Sequence, residues 1–233
     1  MKIIDRAAEL VFPQHLYCGC CGNIIDETRQ YGLCDHCLSH FGWNTDGLDV
    51  IDGMAAGACL DYGIYERTLI FGLKYKGRKY LARDIGAIMA DKVQALGLDK
   101  SCDVIVPVPL YRAKERKRGF NQAALIGKHL ARLTGMECVS DMLCRTRETA
   151  PMRSLGPAER RWNIEGSIAF NEKYAGRVSG RRVLLIDDFY TTGSTALECR
   201  RALVSGGVAE VTFLAFAARR SRDTGDAANA MGR

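Results

Sequence analysis

Residues 183–195, VLLIDDFYTTGST, constrain the fold of this chain more than any other stretch. Residues 183–186 are apolar at every position, which is typical of a strand buried on both faces of a parallel sheet. Two acids and a hydroxyl-rich turn follow, and the next apolar residues recur at helical spacing: Ala196, Leu197, Ala202 and Leu203. The stretch therefore predicts a strand, a loop and the N-terminus of a helix.

The predicted loop lies where open α/β sheets bind ligands, at the carboxyl edge of the strands. The following helix points unpaired N–H groups and the positive end of its dipole toward that edge. A phosphate monoester suits the residues of the turn, which are Thr191, Thr192, Gly193, Ser194 and Thr195. Asp187 and Asp188 would repel a phosphate, so we expect them to accept hydrogen bonds from vicinal ribose hydroxyls of the same ligand.

This order of residues resembles the phosphoribosyl pyrophosphate (PRPP) signature of type I phosphoribosyltransferases. The resemblance implies that the acids hold the ribose 2′- and 3′-hydroxyls and that the loop holds the 5′-phosphate. A plain strand-turn-helix junction that happens to contain acids is an alternative interpretation. A nucleotide hydrolase with an Asp-Asp metal site is another, but the chain has no Gly-x-x-x-x-Gly-Lys-Ser/Thr motif to hold the phosphates.

Four of the ten cysteines form two Cys-x-x-Cys pairs separated by twelve residues: Cys18, Cys21, Cys34 and Cys37. This is the spacing of a structural zinc site, in which two knuckles close on one tetrahedral ion. The segment is too short to bury a core, so the metal would supply its folding energy. Cys20, His36 and His40 lie close enough in sequence to leave the choice of individual ligands open.

A second apolar strand, residues 104–109, ends at a proline and is followed by a dense group of cations: Arg112, Lys114, Arg116, Lys117 and Arg118. A helix is predicted to start next, at residues 119–123. Cations beside a helix N-terminus suit pyrophosphate or another polyanion, and a solvated basic loop is the alternative. The net charge of +6 is compatible with phosphate-rich ligands or nucleic acid and proves neither.

The Val-Pro-Val-Pro stretch and the Arg-Gly-Phe-Asn-Gln-Ala run narrow the resemblance to the competence protein F (ComF) family. Its members join an N-terminal cysteine-rich zinc module to a phosphoribosyltransferase-like domain, and the match covers residues 18 to about 216. The resemblance implies an α/β fold: a type I phosphoribosyltransferase-like parallel sheet flanked by helices. We expect an N-terminal helix and zinc module at residues 1–48, the phosphoribosyltransferase-like domain at 49–218, and a disordered tail at 219–233.

The resemblance also assigns roles to loops. The pyrophosphate loop comprises Pro109, Leu110, Tyr111 and Arg112, with Lys74 as a further candidate phosphate contact. Residues 144–163 resemble the mobile hood that closes over PRPP and excludes water, so Arg145 and Arg147 join Asp187 and Asp188 as catalytic candidates. Met152 and Phe189 depart from the usual family residues and weigh against full catalytic competence.

Two functions from different classes follow. In the first, PRPP binds with Mg²⁺, and a nitrogen acceptor that the sequence does not identify displaces pyrophosphate. In the second, the chain is a competence and DNA-uptake factor that binds single-stranded DNA and keeps the PRPP site as a sensor or relic. The candidate DNA-binding residues are Lys114, Arg116, Lys117, Arg118, Phe120, Asn121 and Gln122. The family further allows DNA-uptake or helicase partners, and the zinc module allows protein docking.

No apolar run approaches the length of a membrane span, and residues 1–12 lack the apolar core of a signal peptide. We therefore expect a cytoplasmic protein with a short docking helix at residues 1–12. Residues 41–52 show no sustained period and predict a linker. Further strands are predicted at 54–62 and 208–216, and further helices at 66–75, 78–96 and 119–133.

Overall fold

The computed structural model describes residues 16–26, 28–149 and 162–219. The expectations for residues 1–12, for Met152 and for residues 220–233 lie outside these ranges. The helices are α1 (Asp35–Ser39), α2 (Ile64–Tyr75), α3 (Leu81–Ala95), α4 (Leu98–Ser101), α5 (Arg112–Arg118), α6 (Gln122–Thr134) and α7 (Ser194–Ser205). The strands are β1 (Gly42–Trp43), β2 (Asp49–Ile51), β3 (Met54–Asp61), β4 (Val104–Pro107), β5 (Glu137–Cys138), β6 (Leu143–Arg145), β7 (Ile168–Phe170), β8 (Arg182–Tyr190) and β9 (Glu210–Ala218).

The main sheet has the order β1-β3-β9-β8-β4-β5, and β2 also pairs with β3. Strands β3, β9, β8, β4 and β5 run parallel, whereas β1 and β2 pair antiparallel with β3. Strands β6 and β7 form a separate antiparallel ribbon. The continuous apolar runs in β4 and β8 follow from burial on both faces, because connections between parallel strands cover both faces with helices. The predicted α/β class, with a parallel sheet flanked by helices, is confirmed.

Alternate residues of β8 enter two different cores. Leu184 and Ile186 pack with the buried faces of α3 and α6, whereas Val183 and Leu185 pack with α7 and the β6–β7 ribbon. Because successive side chains of a strand point to opposite faces, the two acids that follow also leave the strand toward different faces.

Three sequence predictions need correction. Residues 41–52, predicted as a linker, contain β1 and β2, whose two and three residues are too short to show a period. The basic stretch after β4 is helix α5, none of whose residues is buried, and not a loop. Strand β8 continues through Asp187 and Asp188 to Tyr190, whereas the sequence placed these acids in the loop after the strand.

The cysteine-rich segment shares its core with the rest of the chain: Cys18, Ile25, Leu33, Cys37 and Phe41 belong to the same buried cluster as α2 and α3.

Within the described residues, every helix is too short or too polar to cross a membrane.

Helices α3 and α6 touch at Gly86, where a β-carbon would lie 2.8 Å from the β-carbon of His129 and 3.3 Å from the Ile126 carbonyl oxygen. Gly86→Ala should therefore destabilise the protein by about 1–2 kcal/mol, because overpacking outweighs the gain in helix propensity. Urea unfolding measures the change as a lower midpoint at constant slope.

Gly47→Ala is the matched control, since an added methyl group there meets nothing within 4 Å. Its free energy of unfolding should stay within about 0.5 kcal/mol of that of the parent protein. Equal midpoints for Gly86→Ala and Gly47→Ala would contradict the close approach of the two helices.

Candidate ligand-binding edge and metal centre

The two acids of β8, Asp187 and Asp188, which we call the acidic turn, occupy different environments. Asp187 is half-buried, whereas Asp188 is only 2% exposed. The backbone N–H of Asp188 donates to Oδ1 of Asp187 over 2.8 Å, which couples the two groups. Burial, followed by the neighbouring charge of Asp188, raises the pKa of Asp187 well above its usual value. The pKa of Asp187 thus responds to the charge of its neighbour.

Lys74, in the last turn of α2, neutralises that charge. Its Nζ lies 2.5 Å from Oδ2 of Asp188, and the two side chains are only 19% and 3% exposed. Burial alone would raise the pKa of Asp188, but the charge of Lys74 and hydrogen bonds from neighbouring side chains hold it below its usual value. The same contact raises the pKa of Lys74 despite its burial. Lys74, which the sequence analysis offered as a phosphate contact, thus pairs with a carboxylate of the acidic turn.

The hydroxyl-rich turn leads from β8 into α7. Gly193 precedes the helix with φ +76°, a conformation that favours glycine. The first intrahelical hydrogen bond runs from the Leu197 N–H to the Gly193 carbonyl at 2.8 Å, so the preceding amides have no acceptor within the helix. The hydroxyls of Thr192 and Ser194 are 3.1 Å apart, while Thr191 is exposed and Thr195 half-buried. This arrangement can bind an anion.

Strands β4 and β8 are neighbours in the sheet, and Pro107 is opposite Ile186. The Val108 N–H donates to the Ile186 carbonyl at 2.9 Å, so β4 ends beside the two acids, whereas β8 continues to Tyr190. The residues that follow β4 consequently begin beside the acidic turn. They are the predicted pyrophosphate loop, Pro109, Leu110, Tyr111 and Arg112; Pro109 is buried and Arg112 is exposed.

Asn121 and Gln122, at the start of α6, are buried against this edge and do not face solvent. Asn121 caps the helix by accepting from the Ala123 N–H, and it donates to the Val108 carbonyl, both at 3.0 Å. Gln122 accepts from Arg118 through its side-chain carbonyl oxygen. The sequence grouped these residues with the polyanion contacts and gave no indication that they are buried.

The hood residues behave differently from one another. Arg145 in β6 is half-buried; burial lowers its pKa, and the charge of Asp187 acts in the opposite direction. Arg147 is exposed and donates to the Glu165 carbonyl at 2.8 Å, which connects the start of the hood to a residue just beyond its end. Lys114 of α5 donates to the Thr149 carbonyl at 3.2 Å. Arg145 is thus the hood arginine whose charge interacts with the acidic turn.

The four predicted metal ligands come together. The sulfur atoms of Cys18, Cys21, Cys34 and Cys37 all lie within 4.8 Å of one another. The Cys34 N–H donates to the sulfur of Cys18 at 3.4 Å, and the Cys37 N–H to that of Cys34 at 3.5 Å. A tetrahedral ion with metal–sulfur distances of about 2.3 Å fits such a cluster.

The three other candidate ligands have different partners. Cys20 donates to the Tyr65 carbonyl at 3.8 Å, Nδ1 of His40 lies 2.7 Å from the His36 carbonyl oxygen, and Nε2 of His36 lies 3.4 Å from the Tyr65 hydroxyl. The four-cysteine set therefore accounts for the cluster without them.

Several curated proteins are similar to this chain in sequence. Competence protein F of Haemophilus influenzae (strain ATCC 51907 / DSM 11121 / KW20 / Rd) is 28% identical over 202 residues, which are 84% of this chain and 81% of that protein. DNA utilization protein YhgH of Escherichia coli (strain K12) is 32% identical over 155 residues, 65% of this chain and 66% of that protein. Competence protein ComFC of Bacillus subtilis (strain 168) is 30% identical over 109 residues, 46% of this chain and 40% of that protein. No family model matches the chain.

Solved structures resemble parts of the fold. Glutamine PRPP amidotransferase from B. subtilis has a TM-score of 0.39 at 19% identity and covers 57% of this chain and 25% of its own. Leishmania donovani UMP synthase has a TM-score of 0.37 at 18% identity, and the match covers 78% of this chain and 30% of that one. Adenine phosphoribosyltransferase from Leishmania tarentolae has a TM-score of 0.37 at 16% identity, and the match covers 61% of this chain and 73% of that one. Because these TM-scores are low, the likenesses leave open what this chain binds.

We predict that the cysteine cluster holds one metal ion per chain. Elemental analysis of the purified protein should give one equivalent, and Cys34→Ala should lose it because a ligand is removed. Its thermal midpoint should fall, since metal binding contributes to the folding of this segment.

Cys20→Ala is the matched control, because its sulfur contacts the Tyr65 carbonyl and lies outside the cluster. It should keep the full metal content. Equal loss in both variants, or a metal-free parent protein, would contradict the assignment.

Proposed function

Because the chain belongs to the competence protein F family, we propose that it binds PRPP with Mg²⁺ at the shared edge of β4 and β8, and that a nitrogen acceptor displaces pyrophosphate there. One observation carries this proposal. The parallel pairing of the two strands brings the acidic turn, the hydroxyl-rich turn and the loop before α5 to a single edge. Each of these elements matches a different part of the same ligand.

The 5′-phosphate suits the turn before α7. Backbone amides without intrahelical acceptors and the hydroxyls of Thr192 and Ser194 converge there, and the helix dipole favours negative charge. The chain enters the helix through Gly193, whose positive φ favours glycine, and a residue without a side chain also lets the phosphate approach closely.

The ribose diol suits the acidic turn. Hydroxyl groups donate to carboxylates, so Asp187 and Asp188 are matched to the 2′- and 3′-hydroxyls. Lys74 offsets the charge of Asp188, which reduces the repulsion that two acids would exert on a phosphorylated ligand. The carboxylates would hold Mg²⁺ through its bound waters, and the ion would offset charge on the departing pyrophosphate.

The reaction would need no nucleophile from the protein. The bond between the anomeric carbon and the pyrophosphate oxygen breaks, and its electron pair leaves with pyrophosphate. The acceptor nitrogen supplies the pair for the new C–N bond and releases a proton to water. The chain's contribution is to position both reactants and to stabilise developing charge, with Arg112 near the leaving group and Arg145 near Asp187.

The four-cysteine cluster is proposed to hold zinc in a structural role. A complete shell of thiolates leaves no open coordination position for chemistry, and this donor set favours zinc over harder ions.

Calorimetric titration of the protein with PRPP and Mg²⁺ should give one site per chain. Asp187→Asn and Asp188→Asn together should weaken binding by at least about tenfold, because charge-assisted hydrogen bonds are each worth about 1.5–3 kcal/mol. Asp141→Asn serves as the control, since that exposed acid pairs with Lys173 away from the edge. Unchanged affinity in the double variant would overturn the site assignment.

A second role, binding of single-stranded DNA, is favoured by a surface that we call the cationic surface: helix α5 together with residues 75–80. One cation–π contact joins the two parts of this surface, with Arg118 5.6 Å from the Tyr75 ring centre. A second joins the surface to Phe120, whose ring centre lies 5.2 Å from Lys79. Tyr75 and Tyr80 are 57% and 54% exposed and available for base stacking. The relatives' names, which refer to competence and DNA utilization, agree with this role.

Fluorescence anisotropy with a labelled oligothymidylate should show affinity that falls steeply with salt, because phosphate contacts release counterions. Lys117→Ala should flatten the slope of log K against log salt by about 0.7, because one fewer phosphate is neutralised. Tyr75→Ala should weaken binding by about 1–3 kcal/mol, because the base loses its stacking partner.

Lys173→Ala removes the same charge beside Asp141, outside the cationic surface, and should change neither the slope nor the affinity. A salt-independent signal, or equal effects of Lys117→Ala and Lys173→Ala, would remove DNA binding from this surface.

A further inference from the structure

A row of two rings between two cations lies on the surface of helix α2. Arg67, Phe71 and Tyr75 recur every four residues, so their side chains are neighbours on one side of the helix. The guanidinium carbon of Arg67 lies 5.9 Å from the ring centre of Phe71, and the ring centres of Phe71 and Tyr75 are 4.5 Å apart. Arg118, at the end of α5, lies 5.6 Å from the ring centre of Tyr75. We call these four residues the aromatic row.

The aromatic row is accessible to a ligand. Tyr75 is 57% exposed, Arg67 is exposed, and Phe71 is half-buried. The apolar residues on the other side of α2 are packed in the core: Leu69, Ile70 and Leu73. The helix therefore presents its rings and its arginine to solvent while its opposite side anchors it to the sheet.

Phe120 is not available for the same purpose, although the sequence places it among the DNA-binding candidates. Its side chain is 8% exposed, and the ammonium of Lys79 lies 5.2 Å from its ring centre. A buried ring cannot receive a base. Helix α2, which the sequence did not connect with DNA, thus supplies the rings that Phe120 cannot.

The exposed charges of α2 and of the loop that follows it are positive. The only acid of α2 is Glu66, which is 1% exposed and accepts from the N–H groups of Gly42 and Gly63 at 2.8 and 2.9 Å. In the loop, Lys76 and Lys79 are exposed. A ligand that suits this surface carries anionic groups together with flat rings, as a nucleic-acid strand does.

The geometry of the aromatic row favours an unpaired strand, because the faces of paired bases are stacked inside a duplex and cannot reach a protein ring. Helix α2 rises about 12 Å from Arg67 to Tyr75. This length corresponds to about three or four nucleotides at a spacing of about 3.4 Å. Since α5 continues the surface beyond Arg118, an oligonucleotide of about ten nucleotides is long enough to cover both helices.

We propose that a single strand of DNA lies along the aromatic row, with bases stacked on its two rings and phosphates bound by its two arginines. This inference rests on the second proposed function for its ligand, and it adds one side of α2 to the cationic surface. Lys74 follows Phe71 by three residues and pairs with Asp188, so the bound strand passes beside the acidic turn. Binding is tolerant of sequence, because every base has a flat face.

Fluorescence anisotropy with a labelled oligothymidylate of about ten nucleotides tests the contribution of the rings. Phe71→Leu should weaken binding at low salt by at least about fivefold, because a base loses its stacking partner. Leucine keeps an apolar side chain at this half-buried position, and the thermal midpoint of the variant reports whether the fold is retained. Phe71→Tyr keeps the ring and should bind the oligonucleotide like the parent protein.

Arg67→Ala tests the cation at the far end of the row. Because Arg67 is exposed, its removal leaves the core of the protein unchanged. The slope of log K against log salt should flatten by about 0.7, since one fewer phosphate is neutralised.

Tyr174 provides the matched controls, because its ring also contacts two cations, 4.8 Å from Lys173 and 5.8 Å from Arg177. It packs against the core on the opposite face of the sheet from α2. Tyr174→Leu should leave the affinity for the oligonucleotide unchanged, and Arg177→Ala should leave the salt slope unchanged.

The outcomes separate this inference from the function on which it rests. If Lys117→Ala weakens oligonucleotide binding while Arg67→Ala and Phe71→Leu do not, the strand binds α5 alone, and the aromatic row is overturned while DNA binding stands. An oligothymidylate that does not bind the parent protein at low salt refutes both. A duplex of the same length should bind more weakly than the single strand. Equal or tighter binding of the duplex would also overturn the aromatic row, because phosphate contacts alone would then account for the affinity.

Discussion

The ion pair between Lys74 and Asp188 is the contact on which the organisation of the ligand-binding edge depends. Removing two charges from water is costly, and a buried pair offsets that cost only with good geometry and additional hydrogen bonds. Here the ammonium nitrogen of Lys74 and a carboxylate oxygen of Asp188 lie 2.5 Å apart, and the charge of Lys74 holds the pKa of Asp188 below its usual value despite burial. A hydrophobic pair would pack the end of β8 at lower cost.

The metal centre and the ligand-binding edge belong to one structure. Lys92 of α3 donates to the Asn44 and Asp46 carbonyls at 2.9 and 2.6 Å, and Tyr31 bonds to Asp91 of the same helix. Helix α3 contacts α6 closely at Gly86, and α6 begins with Gln122. The cysteine-rich segment is thus connected through α3 to the helix that begins at the ligand-binding edge.

Much of this arrangement could be predicted from sequence, because its signals are local. The strands at 104–107 and 183–186 are continuously apolar, and the Cys-x-x-Cys spacing defines the cluster without any knowledge of the fold. The turn at Gly193 could be predicted from the threonine and serine residues on both sides of it. Other features depend on tertiary contacts: β1 and β2 exist only because β3 offers an edge, and the ion pair between Lys74 and Asp188 joins residues far apart in sequence. The polar character of Gln122 gave no indication of a buried position.

The shared core of the cysteine segment has a consequence for the modularity of this chain. Cys18, Leu33 and Phe41 pack with the same side chains that cover one face of the sheet, including Leu81. A break in the chain near residue 48 would uncover this apolar face of α2 and α3 and leave an aggregation-prone surface in place of a clean boundary. The two segments therefore share one hydrophobic core across the predicted boundary.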